Sequence, residues 1–310
     1  MRIAILGAGG VGGYYGGLLA RAGHDVVMLA RGPHLDALRR RGIEVRTPEG
    51  AFTAPVQATD APEALGRADY AVVAVKNYSL PEVAPAARAL AEDGAVVLPL
   101  LNGVEVVERL VKLGVPADSV LGGLTAISAA RVGPGVVERY STLQRVVVGE
   151  VAGGVSERAE RIASALRQAG AEALVSGDIA VEVWRKFAFI ASMAAACGLA
   201  RSPIGPLWET APGRLLIGRL VREAVAVARA RGVALPEGEE ESILRFFGTL
   251  PPDMKPSLLL DVEAGGPTEI DDLSGAVSRL GRLSGVETPV HDTATAALGG
   301  RGWDEAEAGG

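Results

Sequence analysis

The chain has 310 residues, 48% hydrophobic and 22% charged, with a formal net charge of −6, which fits about two globular domains at roughly 150 residues each. The acidic balance, with no basic block interleaved with aromatics, argues against a nucleic-acid partner. One cysteine, Cys197, excludes an internal disulfide and a cysteine-built zinc site, as expected of a protein from a reducing cytoplasm.

Residues 2–6 form an apolar, branched run that predicts a strand. The sequence Gly7-Ala-Gly-Gly-Val-Gly12 follows it, and residues 13–22 carry helix-compatible apolar spacing. In that order the glycines have separate tasks. Gly7 makes the tight turn, Gly9 lets the backbone approach a pyrophosphate, and Gly12 lets the helix pack on the strand. A diphosphate would sit on the helix N-terminus, among the amides of Gly7, Ala8, Gly9, Gly10, Val11 and Gly12. The same stretch is too short and too glycine-broken for a signal peptide or membrane span, so a cytoplasmic protein with no membrane partner is expected.

A second strand is predicted over 25–30. Where NAD sites place a carboxylate to receive the ribose 2′-hydroxyl, this chain has Ala30-Arg31-Gly32, with no carboxylate until Asp36. A guanidinium there suits a 2′-phosphate, so NADP(H) is the expected cofactor. The alternative is a solvated surface arginine.

Next come a helix over 33–41, short strands around Pro48-Glu-Gly50, a strand over 70–75, a helix over 81–92, a strand over 95–101 and a helix over 104–113. Such alternation predicts a parallel sheet covered by helices. Residues 120–149 break the rhythm with β-branched runs that suggest additional strands. A helix over 156–169 and a strand over 173–176 complete a first domain, 1–176. From there to residue 310 the pattern is helical, over 178–199, 215–231, 239–247, 257–263, 270–283 and 288–298. The first of these is apolar on most faces and reads as a core helix. The polar end, 302–310, is expected to fray.

Lys76 and Asn102 follow predicted strands directly, where open α/β sheets place their ligands. Lys76 suits a cofactor phosphate or ribose, and Asn102 the nicotinamide end or a substrate oxygen. Their other readings are a solvated strand end and an ordinary Asn-Gly turn. Lys186 lies inside the apolar helix. An ammonium there has either a partner or a purpose, since desolvation lowers its pKa toward the range of a proton donor near neutrality. An i,i+4 pair with Glu182 is the competing reading.

Gly7 to Gly12 with Arg31, Lys76, Asn102-Gly103, Trp184-Arg-Lys186, Ser257, Pro267-Thr-Glu-Ile-Asp271 and Gly285-Val-Glu-Thr-Pro-Val290 resemble the ketopantoate reductase family nearly end to end. The resemblance implies a Rossmann-type domain followed by an all-helical domain, with NADPH and a small 2-oxo acid meeting in the cleft between them. It further implies reduction of 2-dehydropantoate to (R)-pantoate, in pantothenate and coenzyme A biosynthesis, with a homodimer as the assembly allowed. Position by position, Lys186 resembles the family's general acid and Glu269 its partner on the substrate hydroxyl. Ser257 resembles the contact to the substrate carboxylate, and Asn102 a substrate-side asparagine. Taken as sequence alone, Glu269 also reads as a first-turn carboxylate after a Thr268 cap, and Ser257 as a cap beside Pro256.

The chain departs from the family at Ile190 and Ala194, one and two turns past the lysine, where the family usually carries asparagines. Arg201 and Ser202 could supply a carboxylate contact instead, or be surface residues at the helix end. Another small 2-oxo-acid reductase or hydroxy-acid dehydrogenase, and a non-catalytic NADP(H)-sensing protein, are the competing functions.

Overall fold

The computed structural model describes residues 1–299; the polar end expected to fray lies outside them. Contacts group the chain into two units, Met1–Leu101 with Val106–Ala180, and Asn102–Glu105 with the residues from Val181 onward.

The first unit runs β1 (Arg2–Leu6), α1 (Gly10–Arg21), β2 (Asp25–Leu29), α2 (Gly32–Arg41), β3 (Ile43–Thr47), β4 (Gly50–Ala54), β5 (Gln57–Thr59), β6 (Tyr70–Val73), α3 (Leu80–Glu92), β7 (Val96–Pro99), α4 (Val106–Lys112), β8 (Leu121–Gly133), β9 (Val136–Glu150), α5 (Glu157–Gln168) and β10 (Glu172–Ser176). Five strands pair in parallel in the order β5-β2-β1-β6-β7. The order reverses direction beside β1, and open sheets of this kind bind ligands at the carboxyl ends of the strands beside such a reversal.

A single parallel sheet was the expectation; the structure has a second, mixed one. It runs β10-β9-β3-β4, with β8 antiparallel to β9. Helix α1 lies between the two sheets, and that accounts for glycines beyond the phosphate turn. A Cβ at Gly16 would lie 2.6 Å from Met28 of the first sheet, and one at Gly17 2.6 Å from Val45 of the second. One face of the helix is thus fitted to each sheet at backbone distance. Tyr14, Tyr15 and Leu19 fill the space that remains, in a core shared with Ile5, Val137 and Ile162.

The second unit is helical among the described residues: α6 (Ile179–Ala200), α7 (Ile204–Trp208), α8 (Ala211–Ala230), α9 (Glu239–Phe247), α10 (Ser257–Glu263), α11 (Ser274–Leu283) and α12 (Pro289–Ala297). By length and apolarity α6 could cross a membrane, but 61% of its most apolar window is buried inside the fold. It is the central core helix, with Phe187, Ala188, Ala191 and Ala195 in one cluster with Leu220 and Val221 of α8 and Val277 of α11. Glu223 receives the Val290 and His291 amides at 3.0 Å each, capping the first turn of α12. Helix α11 starts at Ser274 rather than at residue 270, because residues 269–273 form a tight turn in which the Asp272 amide donates to the Glu269 carbonyl. That turn, rather than a helical first turn, carries Glu269. The short α7 has no counterpart in the apolar periodicity.

Candidate active site

In the first unit the β1–α1 turn has the geometry of a diphosphate cradle. Gly7 has φ +108°, and a Cβ there would meet Val75 Cγ1 at 2.5 Å. A Cβ on Gly12 would lie 2.1 Å from the Gly7 carbonyl oxygen, so helix and strand end meet through backbone alone. At Gly9 a Cβ would meet nothing within 4 Å. The outer face of the turn is therefore open where phosphate oxygens would approach the first amides of α1, whose N-cap, Gly9, has no side chain to satisfy them. These residues fit a dinucleotide.

Arg31 stands between β2 and α2 at the N-cap position, exposed, with its guanidinium 3.0 Å from Glu82. Both partners are solvated, so the pair contributes at most about 1 kcal/mol. A charge-assisted contact to a phosphate contributes about 1.5–3 kcal/mol and would displace it. Lys76 is half-buried just past β6, and the next residue, Asn77, is buried and receives Arg109 of α4 on its carbonyl at 3.1 Å. Arg109 thereby holds the Lys76 loop, a role with no sequence signal beyond a basic residue in the last turn of a short helix.

In the second unit, the Lys186 ammonium donates to Asn102 Oδ1 at 2.8 Å. Burial pushes the lysine's pKa down to about 8, and the negative charge of Glu269 opposes that shift in part. Glu269 itself is only 4% exposed. The i,i+4 partner considered for the lysine is engaged elsewhere. Glu182 accepts from Arg185 at 3.2 Å, and Arg185 forks onto both carboxylate oxygens of Glu239 in α9. Lys186 is thus set apart from the ionic network on its own helix.

The structure therefore brings Asn102, Lys186 and Glu269 together. Ser257 opens α10 with an exposed side chain and, among the described residues, makes no hydrogen bond to that trio. Ile190 is half-buried and Ala194 buried, so the two turns of α6 beyond the lysine offer no polar group on its face. Arg201 is exposed at φ 51°, and the Ser202 hydroxyl donates to the Pro203 carbonyl. Sequence reasoning missed Glu105 and Arg279, which form a part-buried ion pair tying the Asn102–Glu105 segment to α11. Glu105 sits three residues past Asn102, but its partner is 174 residues away in sequence and is marked by no motif.

This arrangement, an ammonium poised near neutrality beside a buried carboxylate and an amide, is that of a proton donor to an oxygen on which charge develops. The family described as "Ketopantoate reductase PanE/ApbA" matches residues 3–153, and its C-terminal counterpart matches residues 178–301. The 2-dehydropantoate 2-reductase of Halobacterium salinarum is 36% identical over 295 residues, 94% of this chain and 95% of its own length. The uncharacterized oxidoreductase YkpB of Bacillus subtilis is 33% identical over 298 residues, covering 96% and 98%. The crystal structure of 2-dehydropantoate 2-reductase from Geobacter metallireducens superposes with a TM-score of 0.89 at 30% identity, covering 96% of this chain and 99% of that one. The chain belongs to the ketopantoate reductase family and is, with it, an NADP(H)-dependent oxidoreductase acting on CH–OH groups.

Proposed function

We propose that the protein reduces 2-dehydropantoate to (R)-pantoate with NADPH, a step toward pantothenate and coenzyme A. The observation that carries the reading is the Lys186 ammonium, held by Asn102 beside Glu269 and depressed to a pKa of about 8.

NADPH, when bound, would supply a hydride to the C2 carbonyl carbon, so that charge develops on the carbonyl oxygen. Lys186 stabilises that growing charge and delivers its proton to the oxygen, giving the hydroxyl and leaving a neutral amine that solvent reprotonates. Asn102 keeps the ammonium aimed through its Oδ1. Glu269 accepts from the substrate hydroxyl and keeps the lysine charged between turnovers. The Ser257 hydroxyl meets the substrate carboxylate. The amides from Gly7 to Gly12 hold the diphosphate, and Arg31 and Lys76 the remaining phosphate and ribose groups.

Ile190 and Ala194 favour a second reading, in which the same lysine reduces another small 2-oxo acid. A site built to hydrogen-bond a substrate hydroxyl rejects analogues without it by large factors, whereas an apolar pocket discriminates by only about 1–3 kcal/mol per methylene. NADPH oxidation against a panel of 2-oxo acids tests the choice. Ketopantoate should have the highest kcat/KM; a higher value for a branched 2-oxo acid without the terminal hydroxyl transfers the assignment to the second reading. The proposal also covers a cytoplasmic location, where the single buried thiol of Cys197 needs no oxidised partner, and a homodimer, which sedimentation measures.

A further inference from the structure

The glycine turn is fastened by a residue outside its motif. His34, at the third position of α2 and 4% exposed, lies 2.8 Å through Nε2 from the Ala8 carbonyl oxygen. On its other side, the Gly135 amide donates to His34 Nδ1 at 2.9 Å. A nitrogen that accepts from an amide carries no proton, so the ring is neutral and Nε2–H is the donor to Ala8. Burial and the nearby charge of Arg131 both disfavour the imidazolium, in keeping with that tautomer.

Gly135, at the β8–β9 turn, is itself anchored. A Cβ there would lie 2.9 Å from Ala37 of α2, its carbonyl accepts from the Glu44 amide at 2.8 Å, and the preceding Pro134 carbonyl accepts from Arg41. The imidazole thus connects a rigid hairpin end to the middle of the phosphate turn. In a planar trans peptide the carbonyl and the following amide point in opposite directions. Fixing the Ala8 carbonyl therefore fixes the Gly9 amide. Side-chain sterics at Gly9 do not secure that orientation, because Gly9 has no Cβ and the space beside it is open.

We propose that His34 is a positioning residue for the cofactor, a neutral imidazole that sets the Ala8–Gly9 peptide so that the turn's amides face the diphosphate. This rests on reading the glycine turn as the cofactor site. It differs in kind from the role of Arg31. The diphosphate is common to NADPH and NADH, so His34 should influence both equally, whereas Arg31 should distinguish them.

The test is direct binding of NADPH and of NADH to the full chain, by fluorescence titration, together with its thermal melt. His34→Leu removes donor and acceptor alike; His34→Gln keeps one of each. The leucine variant should raise Kd for both cofactors by the same factor, about tenfold for one buried hydrogen bond. The glutamine variant should recover most of both. If the leucine variant does not fold, His34→Asn takes its place, since its shorter amide cannot reach both partners. A lowered Tm with unchanged Kd for both cofactors would reduce His34 to packing and overturn the proposal. Failure of the wild-type chain to bind either cofactor would overturn the reading of the turn as well.

Discussion

Lys186 Nζ lies 2.8 Å from Asn102 Oδ1, a pair 84 residues apart in sequence. The partner's neutrality gives the pair its consequence. A carboxylate hydrogen-bonded directly to the ammonium would favour the charged form and push the lysine's pKa back up. An amide fixes the direction of the N–H bonds without adding a charge, so desolvation dominates and the pKa settles at about 8, with Glu269 acting against it.

The pH dependence follows with a definite sign. Reduction needs the protonated lysine, so its rate should be level below pH 8 and fall as pH rises through about 8. Oxidation of the hydroxy acid needs the neutral amine and should rise through the same range. Glu269→Gln, which removes the charge that favours the ammonium, should move both limbs to lower pH. Rate profiles in the two directions check this, and limbs running in the same direction would contradict it.

Arg31→Ala should weaken NADPH far more than NADH, by about tenfold to a hundredfold, the worth of a charge-assisted contact to the extra phosphate. Losing the exposed pair with Glu82 should change stability by less than about 1 kcal/mol. Binding titrations with both cofactors measure the difference; equal losses would show that Arg31 does not read the 2′-phosphate.

Arg279→Ala tests whether the Asn102–Glu105 segment must be anchored for the lysine to be aimed. It removes the guanidinium that holds Glu105 and touches none of the glycine-turn residues. We expect kcat to fall about tenfold, as a modest misplacement of a catalytic group can cause, with NADPH Kd unchanged. An unchanged kcat would show that Asn102 is held by other means.

The two-sheet packing of α1 makes opposite predictions for two helical glycines. At Gly218 a Cβ would meet nothing within 4 Å, so Gly218→Ala should stabilise by up to about 1 kcal/mol through helix propensity. At Gly17 a Cβ would lie 2.6 Å from Val45 Cγ2, and overpacking costs about 1–3 kcal/mol, which outweighs the propensity gain. Thermal melts should move up for the first variant and down for the second.

The strand, glycine turn and helix at the start of the chain were legible because their geometry is local. They sit within residues 2–21, and Gly7, Gly10 and Gly12 each have a steric reason to be glycine. The lysine was legible as an ammonium in an apolar helix, but its partner was not. Glu182 and Arg185 stand on the same helix and offered a pairing that Glu239 of α9 resolves in another way. Glu105–Arg279 and His34–Gly135 depend on contacts across 174 and 101 residues, which no periodicity reveals. The second sheet was hidden for a related reason. Its β3 strand lies next to the first sheet in sequence yet pairs with β9, with β4 added on the far side of β3, and only the surplus glycines of α1 hint that this helix is covered on both sides.

Steady-state reduction of ketopantoate by Lys186→Met and Lys186→Arg separates a proton-donating lysine from one that only packs. Both variants should bind NADPH close to normally. Their kcat should fall by roughly 10²–10⁴, and arginine should restore little, because a guanidinium does not release its proton at accessible pH. Methionine should leave Tm unchanged or raised, since a desolvated ammonium is held there at a cost. Turnover near wild type in both variants, with only a small change in Tm, would contradict proton donation and remove this lysine from the reaction.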